Sequence, residues 1–231
     1  MTKTILVDVD TQHDFCDRQG ALFVRGADAL STTFRALIDA ACARGVRIVG
    51  SVDSHAFDAW EFAGATDAGP NGERPDFPPH CVKGTAGWLK VPGTLAPRAR
   101  FVPNAPLADE AIDSIVHRGA PQQILLEKEV YSLFANPNAD AVLARMVGEA
   151  SPRFVVFGVA LDYCVRAAAL GLVDWMDRTG RRGECVLVVD ATAAVDRAVG
   201  ERALEECAAR GVKLVEASAV LATMNATMNA T

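Results

Sequence analysis

The sequence predicts a doubly wound α/β fold, in which a six-stranded, mostly parallel sheet forms the middle of three layers and carries helices on both faces. Short apolar runs alternate along the chain with segments of helical periodicity, which is the pattern of consecutive βαβ units. These runs are apolar almost without interruption, as expected for strands that are covered on both faces. With 231 residues and 50% hydrophobic content, we expect residues 1–231 to form a single domain with a sizeable core.

The predicted strands are short apolar segments, most of which end at a polar or charged residue. The first strand reads ILVDVD and is closed by Asp10, and the second ends at Asp53. The third runs into Lys128, the fourth is closed by Gly158, and the fifth ends at Asp190. The six predicted strands cover residues 4–9, 46–52, 123–127, 153–158, 185–189 and 212–216.

The predicted helices have apolar residues three and four positions apart, which is typical of one buried helix face. Asn138 and Asp196 are suitable N-caps, and Gly45 and Gly211 stand just beyond two helix ends. The helices cover residues 27–44, 108–118, 138–149, 164–178 and 196–210. The segments 11–26 and 55–97 are predicted as loops, and the second is long enough to suggest a functional role. The repeated MNAT at 224–231 indicates a frayed end without an assigned function.

Composition and charge exclude several classes of function. The net charge is −6 and no cluster of Lys and Arg stands out, so we expect neither nucleic acid nor a membrane as partner. An acidic residue at position 8 argues against a signal peptide, and no apolar run is long enough for a membrane span. The six cysteines are scattered without a CxxC pair, which indicates reduced thiols and a cytoplasmic location.

Four predicted strands each deliver reactive side chains to the same edge of the sheet. They are Asp10 after the first strand, Asp53 and His55 after the second, Lys128 at the end of the third and Cys164 after the fourth. Parallel α/β sheets bind ligands at the carboxyl ends of their strands, so we expect these side chains to share one site. Taken singly, each has an ordinary alternative: Asp10 as a loop cap, Asp53 as a turn residue, and Lys128 as a solvated strand end.

Cys164 is the candidate nucleophile. It stands where a strand turns into a helix, and the unpaired N–H groups and positive dipole of a helix start lower a thiol pKa and can hold an oxyanion. Asp10 can take the thiol proton and return it to a leaving group, while Lys128 favours thiolate and carboxylate together. The alternative is a buried structural cysteine, which is common in apolar surroundings.

Asp53, His55 and His80 form a candidate metal site. In an extended segment, positions 53 and 55 point to the same side, so both can reach one ion. One carboxylate and two imidazoles leave coordination positions open for water or substrate, as catalytic Zn²⁺ or Fe²⁺ sites do. Glu61 and Glu73 lie between the two histidines in sequence, and either is a candidate fourth ligand or a solvated loop acid.

Taken together, these motifs resemble those of the isochorismatase-like cysteine hydrolases, and within that family the nicotinamidases. The resemblance covers nearly the whole chain in order, and the segment GVALDYCVRAAAL is its most characteristic part. The matching stretches are DVDTQHDFC (8–16), VDSH (52–55), FPPHCVKGTAG (77–87), Lys128 at its strand end, GVALDYCVRAAAL (158–170) and VVDATAAVD (188–196).

The resemblance implies a six-stranded parallel sheet and assigns roles to the reactive residues. By similarity, Asp10 is the proton shuttle, Lys128 is its charged partner and Cys164 is the nucleophile. A cis peptide bond between Val159 and Ala160 is also implied. It lets the N–H groups of Ala160 and Cys164 form an oxyanion hole.

The resemblance also assigns binding residues. Phe15 and Phe77 are implied to line a ring-binding pocket. The residues implied to bind a divalent metal, with zinc expected and iron or manganese as alternatives, are Asp53, His55 and His80. In some members of the family an acid seven residues before the second histidine is a further ligand, and Glu73 holds that place here.

The implied activity is that of a cysteine-dependent amidohydrolase that releases ammonia from a small amide through a thioester. Nicotinamide is the expected substrate, in pyridine nucleotide salvage, and we expect a homo-oligomer. Maleamate, a carbamoyl or ureido compound and isochorismate stay open as alternatives, because the run YSLFANPN (131–138) and the loop 56–76 depart from the nicotinamidase pattern. Arg18 or Arg166 near the pocket would favour an acidic substrate. The third interpretation is a non-enzymatic binding protein on the same fold.

Overall fold

The computed structural model describes residues 2–64 and 77–226, which form a three-layer α/β architecture around one central sheet. The strands of this sheet are β1 (Thr2–Val9), β2 (Arg47–Asp53), β3 (Arg100–Val102), β4 (Gln123–Lys128), β5 (Ser151–Val159), β6 (Glu184–Ala193) and β7 (Lys213–Val215). All pairings between them are parallel, and the strand order is β3-β4-β2-β1-β5-β6-β7. The predicted fold class is therefore confirmed.

Helices cover both faces of the sheet. They are α1 (His13–Cys16), α2 (Ser31–Ala43), α3 (Asp109–His117), α4 (Ala139–Val147), α5 (Arg166–Arg178), α6 (Arg197–Ala209) and α7 (Ala217–Ala226). Helices α3 to α6 bury their apolar sides on one face, and α1, α2 and α7 bury theirs on the other. Short 3₁₀ segments occupy Ala27–Leu30 and Leu133–Ala135, and one π-helical turn occupies Leu161–Val165. Within the described part of the chain, no helix is long and apolar enough to cross a bilayer.

The interior strand β5 shows why the predicted strands do not alternate polar and apolar residues. Phe154 and Val156 pack into the core beneath α3 to α6, whereas Val155 and Phe157 pack on the opposite side, and all four are fully buried. Successive side chains of a strand point to opposite faces, so a strand covered on both faces needs apolar residues at every position. Each such side chain contributes roughly 1.5–3 kcal/mol of hydrophobic stabilisation.

The sheet has one strand more than the sequence predicts. The additional strand β3 has three residues at the sheet edge, where Arg100 pairs with Ile124 of β4. A segment of three residues shows no measurable periodicity, so the sequence pattern does not separate it from a loop. The four-residue helix α1 escapes prediction for the same reason.

The expectation of a frayed carboxyl end is wrong for residues 224–226. These residues form the last turn of α7, in which Val220 and Met224 are buried in the core that α2 covers. Burial of these two side chains stabilises a helix that the polar repeat by itself does not predict. The remainder of the repeat, 227–231, lies outside the described residues.

The end of β5 is shaped by Gly158. The register between β5 and β6 shifts between Val156 and Gly158, and Gly158 has a positive φ of 126°. A Cβ atom at this position would lie 2.0 Å from the carbonyl oxygen of Val9, so no other residue fits without displacing β1. The peptide bond between Val159 and Ala160 is cis, as the family resemblance implies. The chain then enters the π-helical turn that carries Cys164.

Candidate active site

The ends of four adjacent strands converge at one edge of the sheet. β4, β2, β1 and β5 are neighbours in that order, and their carboxyl ends bring together Lys128, Asp53, Asp10 and Cys164. Asp53 and Lys128 are the last register partners of β2 and β4, so their side chains leave the sheet side by side. Asp10 follows β1 in a left-handed backbone conformation with a φ of 47°. The structure thus brings the four residues into one group, as the strand-end argument predicts.

Lys128 is the centre of this group. Its Nζ atom lies 2.8 Å from Oδ2 of Asp10 and 3.5 Å from Sγ of Cys164, and it also contacts Oδ1 of Asp53. Burial favours the neutral amine, but the carboxylates of Asp10 and Asp53 outweigh it and hold the pKa of Lys128 well above its usual value. Lys128 is therefore a buried, charged residue, and the alternative of a solvated strand end is excluded.

The two carboxylates of the group differ in their affinity for a proton. Burial raises the pKa of Asp10, and the neighbouring Lys128 offsets this only in part. Burial acts on Asp53 in the same direction, but Lys128 and the imidazoles of His55 and His80 hold the pKa of Asp53 well below its usual value. When two carboxyl groups have pKa values that their environments push apart, the two groups are suited to different roles. Asp10 is the group suited to exchange a proton, and Asp53 is suited to remain an anion.

The expectation that the thiol pKa of Cys164 is lowered is wrong for the resting protein. Burial raises the pKa of Cys164 well above its usual value, Lys128 opposes the shift, and the charge of Asp10 adds to it. Loss of hydration penalises the thiolate more than the helix start and Lys128 stabilise it. Cys164 therefore rests as a thiol and needs a base. Asp10 is close enough, since one donor atom from each of Asp10, Asp53 and Cys164 lies within 4.8 Å of the others.

A second group of buried side chains adjoins the first. One donor atom from each of Asp53, His55, Glu61 and His80 lies within 4.8 Å of the others. Oε1 of Glu61 is 2.9 Å from Nε2 of His55 and 3.1 Å from Nε2 of His80. Oδ2 of Asp53 is 3.8 Å from both of these nitrogens. Asp53 therefore belongs to both groups, because its Oδ1 faces Lys128.

The donor set fits a divalent metal ion. Both ring nitrogens of His55 are buried and make no hydrogen bond to any described residue, although Nε2 lies close to Glu61. Buried polar atoms are nearly always satisfied, and nitrogen and carboxylate lone pairs directed at a common centre are satisfied by a cation. The Nδ1 atom of His80 contacts the carbonyl oxygen of Pro78 at 2.8 Å, which orients the ring and leaves Nε2 for a metal. Two imidazoles and two carboxylates are suitable ligands for Zn²⁺, Fe²⁺ or Mn²⁺.

Of the two glutamates that the sequence offers as a fourth ligand, the structure brings Glu61 into the group. Backbone hydrogen bonds fix its position: the N–H of Phe77 donates to Glu61 at 3.2 Å, and the N–H of Ala63 donates to Phe77 at 2.7 Å. This pairing folds the first part of the long loop back beside His80, and the Glu61 side chain becomes buried. Glu73, which the family resemblance favours, lies outside the described residues.

Without an ion, the two carboxylates favour protonated imidazoles. Burial favours the neutral rings, but Asp53 and Glu61 outweigh it and raise the pKa of His55 to about 9 and that of His80 to about 10. Burial raises the pKa of Glu61, but His55 and His80 outweigh this and lower it. Only a neutral imidazole ligates a metal, so metal binding has to displace these protons.

A pocket lined mostly by apolar and aromatic side chains opens over both groups, with Asp53, Glu61, His80 and Cys164 in its lining. The predicted residues Phe15, Phe77, Ala160 and Cys164 all lie in its lining. Other lining residues escape prediction from the sequence, and they include Tyr131, Tyr163, Leu22, Val24, Val130 and Val195. The ring of Phe77 is 6.4 Å from that of Tyr131 and 6.0 Å from that of Tyr163, so three aromatic rings form one wall. Tyr163 is adjacent to Cys164 in the DYC motif, and this adjacency is the feature of the sequence that could have predicted Tyr163 in the pocket lining.

Arg18 and Arg166, the two candidates for selecting an acidic substrate, lie outside the pocket lining. Nε of Arg18 is 2.6 Å from a carboxylate oxygen of Asp28, and Nε of Arg166 is 2.6 Å from one of Glu206. Both pairs are at least partly exposed, and neither arginine lines the pocket. Among the lining residues that the structure describes there is no lysine or arginine.

Comparison with known proteins identifies the family. The isochorismatase domain matches residues 4–219. The chain is 32% identical over 213 residues to a nicotinamidase/pyrazinamidase of Mycobacterium tuberculosis, an alignment that covers 91% of this chain and 97% of the relative. A pyrazinamidase of Pyrococcus horikoshii, solved in complex with zinc, superposes with a TM-score of 0.68 at 27% identity and covers 93% of this chain and 99% of its own.

Further solved structures share the fold at lower identity. The nicotinamidase/pyrazinamidase of Bacillus subtilis superposes with a TM-score of 0.67 at 23% identity, covering 93% of this chain and 100% of its own. At that identity the likeness supports the three-layer fold alone. The domain match and the curated relative cover nearly the whole chain, and the chain belongs to the isochorismatase domain family.

Proposed function

We propose that this protein is a nicotinamidase, a cysteine-dependent hydrolase that converts nicotinamide to nicotinate and ammonia. The coarser activity follows from the family and its relatives: the chain is an isochorismatase-family hydrolase that acts on amides. The observation that carries the finer proposal is the position of Lys128, whose ammonium contacts Asp10, Asp53 and Cys164 beneath an aromatic pocket. That arrangement supplies a fixed cation in contact with both a nucleophile and a base, whose donor atoms lie within 4.8 Å of each other.

In the proposed acylation, Asp10 takes the proton of Cys164 and the thiolate attacks the amide carbonyl carbon. The raised pKa of Asp10 favours this step because it makes the carboxylate a stronger base, whereas the raised pKa of Cys164 opposes it and the contact with Lys128 stabilises the thiolate that forms. The N–H groups of Ala160 and Cys164 stabilise the oxyanion of the tetrahedral intermediate. Collapse breaks the C–N bond, and Asp10 gives its proton to the departing nitrogen, which leaves as ammonia. The acyl group remains on Sγ as a thioester.

In the proposed deacylation, Asp10 takes a proton from water, and the oxygen attacks the thioester carbonyl. The second tetrahedral intermediate expels the Cys164 thiolate and releases the carboxylic acid. Asp10 then returns the proton to Cys164, so no net proton remains on the protein. Throughout both steps Lys128 compensates the negative charge that moves between Asp10 and Cys164, which it can do because its charge is permanent.

We propose zinc as the metal ligated by Asp53, His55, Glu61 and His80, because these donors suit it and the Pyrococcus horikoshii relative is a zinc complex. When bound, zinc supplies a Lewis acid that can orient a ring nitrogen or a water molecule. The chain's own contribution at the metal site is to place the Asp53 carboxylate between Lys128 and the two histidines. Phe15 and Phe77 are proposed to bind the substrate ring.

The charge of the lining supports nicotinamide over the alternatives. Maleamate and ureido acids carry a carboxylate, and the described lining offers Asp53 and Glu61 but no cationic side chain to pair with it. Removing a substrate carboxylate from water costs free energy, and among the described groups only the proposed Zn²⁺ could offset that cost. A neutral aromatic amide meets no such cost and can pack against the aromatic wall.

The test is an ammonia-release screen with nicotinamide, pyrazinamide, maleamate and carbamoyl compounds, using Cys164→Ala as the matched blank. We expect kcat/KM for nicotinamide to exceed that for maleamate by at least about 100-fold, a difference equivalent to the desolvation of one charged group. A preference for maleamate would overturn the substrate proposal. Ligand binding without ammonia release from any compound would favour the non-enzymatic interpretation.

A further inference from the structure

Gln12 is a fully buried residue that the proposed chemistry does not use, two positions beyond Asp10. Its side-chain amide makes three hydrogen bonds, all to backbone groups. Nε2 donates to the carbonyl oxygen of Asp53 at 2.8 Å and to that of Trp88 at 2.9 Å, and Oε1 accepts from the N–H of Asp53 at 2.8 Å. Since one donor and two acceptors surround the amide, its orientation is determined.

These contacts continue the sheet beyond the point where a strand ends. The last register pair between β1 and β2 is Val9 with Ser51, so Asp53 lies past the end of β1. The amide of Gln12 bonds both the N–H and the carbonyl of Asp53, as a neighbouring strand does. The backbone that carries the Asp53 side chain is thereby held on this side by one glutamine.

The position of Asp53 affects both the Lys128 group and the metal group, because its carboxylate belongs to both. One oxygen contacts Lys128 and the other faces His55 and His80. A small displacement of the Asp53 backbone therefore changes the distances in both groups at once. Some residues hold a metal-ligand side chain in place without contacting the metal. Loss of such a residue commonly lowers metal affinity or activity by about 10- to 100-fold.

We propose that Gln12 is a positioning residue that sets Asp53 for the metal group and for Lys128 together. Asp14, two residues further along, makes a corresponding contact, since its Oδ2 accepts from the N–H of Cys81 at 2.7 Å, next to His80. Residues 12 and 14 thus each hold the backbone at or beside a metal-ligand candidate. The inference rests on the proposed function, because it assigns Gln12 a role toward that metal and that nucleophile.

Gln123 provides a matched control. It is also fully buried, and its amide likewise makes three hydrogen bonds: it accepts from the N–H of Ala96 at 2.8 Å and donates to Asp8 at 2.9 Å and to the carbonyl of Thr94 at 3.0 Å. It lies at the start of β4, at the opposite end of that strand from Lys128. Replacing either glutamine with methionine keeps the volume and removes three hydrogen bonds.

The experiment compares Gln12→Met with Gln123→Met in metal-free protein titrated with Zn²⁺ against a competing chelator, beside denaturant unfolding. We expect similar losses of stability in both variants. The Zn²⁺ dissociation constant is expected to rise about 10- to 100-fold in Gln12→Met and to stay within about twofold in Gln123→Met. Equal shifts in the two variants, or an unchanged constant in Gln12→Met, overturn the proposal. If Gln12→Met does not fold, Gln12→Glu is judged by the same criteria, since it keeps one acceptor.

A second measurement separates this inference from the proposed function. At saturating Zn²⁺ and nicotinamide, Gln12→Met is expected to lower kcat for ammonia release at least about tenfold, with Gln123→Met within twofold of wild type. If the wild type binds no Zn²⁺, the metal part of the proposed function fails and the kcat comparison decides the role of Gln12. If the wild type releases no ammonia, the catalytic part fails and the Zn²⁺ comparison decides it.

Discussion

The Nζ atom of Lys128 lies 2.8 Å from the Oδ2 atom of Asp10, and both side chains are fully buried. The substitution Lys128→Met keeps most of the volume but leaves the carboxylates of Asp10 and Asp53 without their cation. We expect a loss of about 3–5 kcal/mol in the free energy of unfolding, as for other broken buried pairs. We also expect kcat/KM to fall by about 10²–10⁴-fold, because Asp10 becomes protonated and no longer acts as a base.

The control for that substitution is Lys83→Met. Lys83 pairs with Glu127 at 2.7 Å, but its side chain is 54% exposed. Because Glu127 is 9% exposed, solvent screens this pair only in part, and we expect its loss to cost about 1–2 kcal/mol, less than the loss of the Lys128 pairs. Urea denaturation of both variants checks the comparison, and equal losses would contradict the assignment of Lys128 as a buried charge.

Cys164→Ala and Asp10→Asn test the nucleophile and the base. Each is expected to lower kcat by about 10⁴-fold or more while the protein stays folded, because alanine at a helix start costs little packing. The double variant is expected to be no worse than about tenfold below the poorer single variant, since members of one catalytic unit are not additive. Steady-state ammonia release measures all three, and a double variant showing the product of both losses would be falsifying evidence for joint action.

The raised pKa of Cys164 predicts how fast its thiol is alkylated. Burial holds this pKa well above the usual value, so the thiolate fraction at neutral pH is small and increases with pH. In metal-free protein, the rate constant for iodoacetamide is expected to rise about tenfold per pH unit between pH 7 and 8.5. Mass spectrometry of the peptide that contains Cys164 measures it. A rate constant that levels off below pH 8 would show that the pKa of Cys164 is lowered, as the helix start alone predicts.

Glu61→Gln tests the fourth metal ligand. The substitution removes the anion that lies 2.9 Å from His55 and 3.1 Å from His80, and we expect Zn²⁺ affinity to fall about 10- to 100-fold. Elemental analysis and chelator competition measure the change. Glu73→Gln is the companion variant, and a larger loss there than in Glu61→Gln would transfer the ligand role to Glu73.

The histidine pKa values predict the pH dependence of metal binding. The pKa values of His55 and His80 are raised to about 9 and 10 in the metal-free protein, so both rings hold protons at pH 7. Metal binding releases those protons, and Zn²⁺ affinity is expected to rise with pH by up to about 100-fold per unit between pH 7 and 8.5. Calorimetry in buffers of different ionisation enthalpy counts the protons released. An affinity that is flat above pH 7 would show unperturbed histidines with a pKa near 6.5.

The sequence by itself determines the fold class and the members of the site at the strand ends. The runs that became β1, β2, β4 and β5 are apolar almost without interruption, which already indicates strands covered on both faces. Parallel strands deliver their carboxyl ends to one edge, so Asp10, Asp53, Lys128 and Cys164 could be placed together from their order in the chain. The family motifs then added roles for Phe15, Phe77 and Ala160, all of which lie in the pocket lining.

Only the tertiary structure decided the features that depend on contacts distant in sequence and on burial. The pKa of Cys164 is raised because the whole fold excludes water from it, a quantity that its local sequence does not contain. Glu61 joins the histidines because its backbone pairs with Phe77 across the long loop. The hydrogen bonds between Gln12 and Asp53 cannot be read from the sequence, because Asp53 lies 41 residues away and becomes a neighbour only when β1 and β2 pair. Strand ends are set by local pattern, whereas ionisation and ligand choice are set by the surroundings that folding assembles.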